Sequence, residues 1–359
     1  MTDLLYSEAE DDLRAAVRSL LTDRSDTTSV LVRAEGGAPY DAELWKALAS
    51  DMGAAGLLVP EKLGGQGASH REAAVVLEEL GRAVAPAPYL TSSVIATETL
   101  LGLDTETPEV AELLTALATG RRTAVLAVPL STSPHGPLPV DASTITGVAD
   151  AVAADVLLVL KSDGLYAVEK TSVTVVAQTP LDLTRPLAAV TLGDRAAATR
   201  LADAGAAERA VRRGLLTGAG LLASEQLGLA EWCLEETVRH TRGRHQFNRP
   251  IGSFQALKHR MAQLWLEVVS ARAAARNAAD ALATDSPEAA LAVAVAQAYT
   301  SRVAVHAAEE CVQLHAGIGM TWEHPAHLYL KRAKSDEIAL GTPGRHKEAL
   351  AELVDLQAP

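Results

Sequence analysis

Arg244-His245-Gln246-Phe247-Asn248-Arg249-Pro250-Ile251-Gly252-Ser253-Phe254-Gln255 separates two long helical segments, and the reading of the chain follows from it. Upstream, Ala206–Arg239 reads as one helix of more than thirty residues; downstream, Gln255–Thr284 is rich in alanine and leucine and reads as a second. Pro287–Leu314 is a third helix and Pro343–Leu356 a short fourth, which together predict a helical bundle. The stretch is also basic. Arg239, His240, Arg242, Arg244 and His245 lie together, as do Lys331, Arg332 and Lys334, in a chain whose formal net charge is -13.

Moving towards the N-terminus, the hydrophobic period changes. Thr123–Val128, Val156–Leu160, Gly164–Glu169, Val173–Val176 and Ala188–Leu192 are short runs of small and β-branched residues between Pro, Gly, Ser and Asp loops. They predict an antiparallel β segment without the long crossover helices of a parallel sheet. Before Arg122 the period is helical again. Helices are expected at Glu8–Asp23, Ala42–Met52, His70–Leu80 (stopped by Gly81), Thr91–Leu101 and Pro108–Ala118. The expected fold class is α+β: an N-terminal helical domain over 1–120, a middle antiparallel β domain over 121–200 and a C-terminal four-helix bundle over 201–359.

Composition narrows the function. The acidic balance disfavours nucleic acid and anionic membrane as general partners. The acidic start, Glu8 to Asp12, is unlike a signal peptide, and no run of 18 apolar residues occurs, so a cytoplasmic protein is expected. Cys233 and Cys311 are too few for a cysteine-based metal site or a disulfide scaffold; they read as buried free thiols, and no metal is expected.

Four separated motifs, in order, resemble those of the acyl-CoA dehydrogenase family. They are Leu57–Glu61 with Gly64-Gly65-Gln66-Gly67; Val76–Arg82; the opening stretch Arg244–Gln255; and Gln313–Thr321, continued by Glu323-His324-Pro325 and Tyr329. The resemblance implies the same three-part architecture around a flavin, paired subunits, and an ADP half of the flavin near a subunit boundary. It implies FAD as cofactor, an acyl-CoA thioester as substrate and an electron-transferring flavoprotein as acceptor. By resemblance Arg244 and Phe247 contact the FAD, with Gln255 nearby, and the loop of Gln313, Gly317 and Gly319 meets the ADP portion. A guanidinium suits a pyrophosphate, and glycine lets backbone approach a phosphate or ring. The family usually has two adjacent glycines in that loop; here Ala316 replaces the first. Asp182–Leu187 resembles a further family landmark and reads as an exposed turn stabilised by Asp182.

The chain departs from the family where the reaction occurs. The family removes an α-proton from the thioester with a carboxylate while the β-hydrogen leaves as hydride to the flavin. The glutamate expected before Gly341-Thr342 is Leu340, and the alternative position, counted back from Arg244, falls at about Gly218. The usual Thr-Glu-Pro run of the β segment is also missing from Ala124–Leu130. This pattern resembles actinobacterial heteromeric acyl-CoA dehydrogenases acting on steroid side-chain thioesters, in which one of two unlike subunits lacks the base. The leading expectation is therefore the base-less subunit of a heterotetramer. The others are a complete homomeric enzyme with a relocated base (Glu323, Asp336 or Glu337) and a non-catalytic pseudoenzyme.

Overall fold

A computed structural model describes residues 4–36, 40–193 and 197–356. It has the expected α+β architecture: helices, then two small sheets, then a bundle. The first part comprises α1 (Glu8–Arg24), α2 (Thr27–Gly36), α3 (Ala42–Lys46), α4 (His70–Arg82), α5 (Thr97–Leu101) and α6 (Pro108–Ala118). Ser7 and Glu10 form a capping box on α1, and Ser69 and Glu72 another on α4, so local sequence starts both helices. The wider turns of a π-helix follow α3 (Ala47–Asp51) and precede α5 (Tyr89–Ala96), where single α-helices were expected.

α4 ends at Arg82, one residue past Gly81, but Gly81 does more than mark that end. A side chain there would begin 2.1 Å from the carbonyl oxygen of Glu225, and one at Gly228 would begin 1.9 Å from that of Glu78. These glycines let two helices touch backbone to backbone: α4 and α7 (Ala204–Gly243).

The middle part holds β1 (Ala124–Leu126), β2 (Thr144–Ala149), β3 (Val156–Lys161), β4 (Gly164–Glu169), β5 (Val173–Gln178), β6 (Leu187–Leu192) and β7 (Ala198–Asp203). One sheet has the order β1-β3-β4-β7 and the other β2-β6-β5. All pairings are antiparallel except β1 with β3, which run parallel in the register Ala124↔Val156. That exception arises because the chain leaves the first sheet after β1 and builds β2 in the second before returning. A small separate core, including Val125, Leu157, Val159, Val148 and Val190, fills the space within this part.

After α7 come a hairpin of β8 (His245–Gln246) and β9 (Arg249–Pro250), then α8 (Gln255–Ala283), α9 (Ala289–His315), α10 (Ala326–Ile338) and α11 (Pro343–Leu353). The bundle thus contains one helix more than expected, α10. Alanines at Ala219, Ala223, Ala275, Ala279, Ala304 and Ala308 are fully buried, as close packing of long helices requires. Cys233 on α7 and Cys311 on α9 are buried free thiols, as expected. Among the described residues no helix is long and apolar enough to cross a membrane.

Candidate active site

The turn after α10 places Leu340 inside the protein, 1% exposed. Its N–H donates to the carbonyl of Leu130 at 2.7 Å, and its own carbonyl faces His346 Nε2 at 3.1 Å. Its φ is +54°, and Gly341 follows at +106°. Gly218 lies mid-way along α7. A side chain starting there would meet Ile95 Cγ1 at 2.6 Å and Leu340 Cδ1 at 3.2 Å. The two expected base positions, far apart in sequence, therefore face one point. That point is filled. Ile95, Leu126, Pro129, Leu130, Leu215 and Leu340 close around a cavity of about 20 Å³. About 10–15 Å³ of such space is enough for one water. Neither an acyl chain nor a flavin ring fits there.

Thr91 is the polar exception in that lining, and its hydroxyl donates to Asp150 Oδ2 at 2.7 Å. Burial pushes the Asp150 carboxyl up to about 6, against the pull of Arg185. Asp150 carries no family motif and was not among the expected bases. The three that were do not line the cavity: Glu323 is exposed, Glu337 lies 3.8 Å from Lys334, and Asp336 is held elsewhere.

Asp336 belongs to a buried ionic cluster that overturns the reading of Asp182–Leu187 as an exposed turn. Asp182, Thr184 and Arg185 are all buried. Arg332 on α10 binds the Asp182 carboxylate through Nε, Glu225 at 2.5 Å and the Thr184 hydroxyl oxygen at 2.6 Å. Arg185 binds Asp336 at 2.6 Å and both oxygens of Glu225 at 2.6 and 2.8 Å. Burial opposes ionising Asp182, but Arg332 and Arg185 outweigh it and hold its carboxyl below the ordinary range. At Asp336 burial and the neighbouring Glu225 win, and the carboxyl rises to about 8. The cluster ties the β segment to α7 and α10, so its acids are structural anchors rather than free bases.

The residues expected to meet the cofactor lie at the surface. Arg244 follows the last turn of α7 and is exposed; its backbone N–H donates to His240 and its carbonyl accepts from Ile251. Phe247 and Asn248 form the hairpin tip with φ of +52° and +60°, and Phe247 is 85% exposed. Its ring meets Phe254 edge-on, and Arg249 lies over Phe254 at 3.9 Å. Gln255 opens α8 and is exposed. Gln313 and Gly317 are also exposed, whereas Gly319 is buried where a side chain would strike the Val312 carbonyl at 2.6 Å. The two groups sit at neighbouring ends of helices, because the His240 ring near the end of α7 meets that of His315 at the end of α9, centroids 4.1 Å apart. No hydrogen bond or ring contact joins the two groups directly among the described residues.

Comparison with known proteins gives these features a family. Residues 7–121 match the acyl-CoA dehydrogenase N-terminal domain and residues 208–354 the acyl-CoA dehydrogenase C-terminal domain. The acyl-CoA dehydrogenase IpdE2 of Mycolicibacterium smegmatis is 36% identical, over 94% of this chain and 96% of its own length. Acyl-CoA dehydrogenase FadE34 of Mycobacterium tuberculosis is 34% identical over 94% of this chain but only 46% of its own length. Among solved structures, the ChsE4-ChsE5 complex from Mycobacterium tuberculosis superposes with a TM-score of 0.87 at 26% identity, covering 100% of both chains. The chain belongs to the acyl-CoA dehydrogenase family.

Proposed function

We propose that this chain is the base-less subunit of a two-chain, FAD-dependent acyl-CoA dehydrogenase. The observation that carries this reading is the closed apolar point between Gly218 and Leu340: both base positions empty, and about 20 Å³ between them. A positioned carboxylate is needed to take an α-proton beside a thioester. Leucine cannot take it, and the packing around Leu340 leaves no room for an acyl chain. FAD, where bound, accepts the β-hydrogen as hydride. The isoalloxazine ring does not fit this chain's own closed interior, so no step is assigned there.

The exposed groups fit a different task. Arg244 offers a guanidinium for a pyrophosphate, Phe247 a flat apolar surface, and Gln255 an amide. From the other loop, Gln313 and the unobstructed Gly317 offer an amide and close backbone approach, while Gly319 lets the loop pack. In this reading they hold the ADP half of a flavin whose ring and acyl thioester lie in the partner subunit. FadE34 supports the pairing, since a relative about twice as long contains one region like this chain. The ChsE4-ChsE5 complex is a related assembly of two differently named chains. A heterotetramer, a steroid side-chain thioester and an electron-transferring flavoprotein as acceptor complete the proposal.

Anaerobic flavin reduction tests it. A panel of acyl-CoA thioesters, including steroid side-chain ones, is offered to the lone chain and then to the chain with a base-bearing acyl-CoA dehydrogenase subunit. The expected result is no bleaching alone and rapid bleaching of the pair. Rapid bleaching by the pure lone chain would overturn the proposal.

A further inference from the structure

Glu236 meets His315 and His324, which flank one short loop, where α7 and α9 end and the chain turns back before α10. His315 Nε2 lies 3.6 Å from Glu236 Oε1, and His324 Nε2 lies 3.5 Å from the same oxygen. All three ligand atoms fall within 4.8 Å of one another.

His315 decides what belongs between them. Its side chain is 0% exposed, and Nδ1 lies 2.7 Å from the Cys311 carbonyl oxygen. A carbonyl only accepts, so Nδ1 carries the hydrogen and donates. In the neutral ring Nε2 is then a bare lone pair. It is buried, has no hydrogen-bond partner, and faces a carboxylate. Two acceptors held face to face repel, so a positive charge belongs between them: either a metal ion or a second ring proton. Burial opposes that proton, but Cys311 and Glu236 favour it and push His315 up to about 10.

We propose that Glu236, His315 and His324 form a binding site for a divalent transition metal of the zinc class. Nitrogen and oxygen donors suit such ions, and bonds of about 2.0–2.1 Å place tetrahedral ligands about 3.3–3.4 Å apart. The observed 3.5 and 3.6 Å separations need shifts of only a few tenths of an ångström, while the two imidazole nitrogens, which lie within 4.8 Å of each other, can need to close further. The His315–Cys311 carbonyl bond is the outer support that metal-bound histidines usually have. The fourth position falls to water or to His240, whose ring centroid is 4.1 Å from that of His315. The metal has competitors. Arg239, mostly exposed, bonds Glu236 Oε1 at 2.6 Å. His324 Nδ1 accepts the Ala326 N–H at 3.2 Å, so binding at Nε2 moves the ring proton to Nδ1 and gives up that contact.

The cysteine count argued against a metal, but these donors are a carboxylate and two imidazoles. A bound ion would pin the loop of Gly317 and Gly319 to the end of α7, just before Arg244. The site does not depend on the flavin reading.

The test uses the tag-free full chain, stripped with a chelator and titrated with Co²⁺. One equivalent should bind with visible ligand-field absorption and be displaced by Zn²⁺. His315 is central to packing, so the partly exposed ligands are varied: Glu236→Gln and His324→Ala should each weaken Co²⁺ binding by tenfold or more, on the order of even outer-support losses, with the helical circular dichroism retained. Absence of saturable Co²⁺ binding to the parent chain, or unchanged binding in both variants, would mean that a protonated histidine cluster alone occupies this place.

Discussion

The interior around Leu340 and the bundle end around Arg244 have opposite characters. At Leu340, both family base positions are apolar or bare and the space between them is packed shut. At the bundle end, Arg244, Phe247, Gln255, Gln313 and Gly317 are exposed, and Phe247 is held out on a hairpin tip by two residues at positive φ. A single exposed ring is ordinary on a protein surface; here it stands beside the exposed Arg244 and Gln255. The contrast teaches that family motif positions on one fold can be packed shut at one place and held out in solvent at another.

The largest expected effect bears on the interior. If Leu340 were the sole defect, Leu340→Glu would restore much of the roughly 10²–10⁴-fold that a positioned base contributes. The closed cavity predicts that the lone variant gains none of it, measured as flavin reduction by acyl-CoA. It should also lose about 1–3 kcal/mol of stability, from a carboxyl buried without a partner. Recovery of turnover would show that the interior opens after all.

Next in size is the ionic cluster that braces this interior. Arg332→Met leaves Asp182 and Glu225 each short of a buried cation and should cost on the order of 3–5 kcal/mol by chemical denaturation. Lys62→Met is the control. Lys62 and Glu106 are 2.7 Å apart, but the side chains are 61% and 79% exposed, so about 0–1 kcal/mol is expected. Equal losses would mean that burial does not set the value of these pairs.

That cluster also marks the limit of what was legible in the sequence. The long helices α7, α8 and α9 were readable because alanine and leucine recur at helical spacing, and five of the seven strands of the middle part because they are apolar and β-branched. β2 was missed because Gly147 interrupts it, and β7 because ATRLAD is largely exposed. α10 is marked by basic residues rather than an apolar stripe. Asp182 looked like a surface turn because its partner, Arg332, is 150 residues away. The empty base positions could be read from motif alignment alone, but their convergence on one filled point required the fold. Asp150 gave no signal, since its burial is imposed from outside its own segment.

At the bundle end, Arg244→Ala should weaken FAD retention in the assembled oligomer by about 1.5–3 kcal/mol, the range for a hydrogen bond to a charged group. Thermal stability without flavin should not change, because the side chain is exposed and the backbone bonds to His240 and from Ile251 survive the substitution. Flavin occupancy at equal protein concentration reads the effect. Equal occupancy in variant and parent would remove Arg244 from the site and weaken the contrast between the two regions.

The smallest effect separates the regions most cleanly, because both contain a non-glycine residue at φ +54°: Leu340 and Ala316. Left-handed backbone costs a residue with a β-carbon on the order of 1–3 kcal/mol. Leu340 offsets that cost by burying its side chain in the closed interior, worth about 1.5–3 kcal/mol. Ala316 is exposed at the end of α9 and has no such return. Glycine at either position relieves the strain but adds about 0.4–1 kcal/mol of unfolded-chain entropy. Ala316→Gly should therefore stabilise the chain by about 1 kcal/mol, while Leu340→Gly should destabilise it, because the lost packing exceeds the strain relieved. Denaturation midpoints measured side by side decide the matter. If Ala316→Gly destabilises, then the methyl group in the loop after α9 makes a contact that exposure alone does not reveal, and that loop is adapted to alanine rather than strained by it.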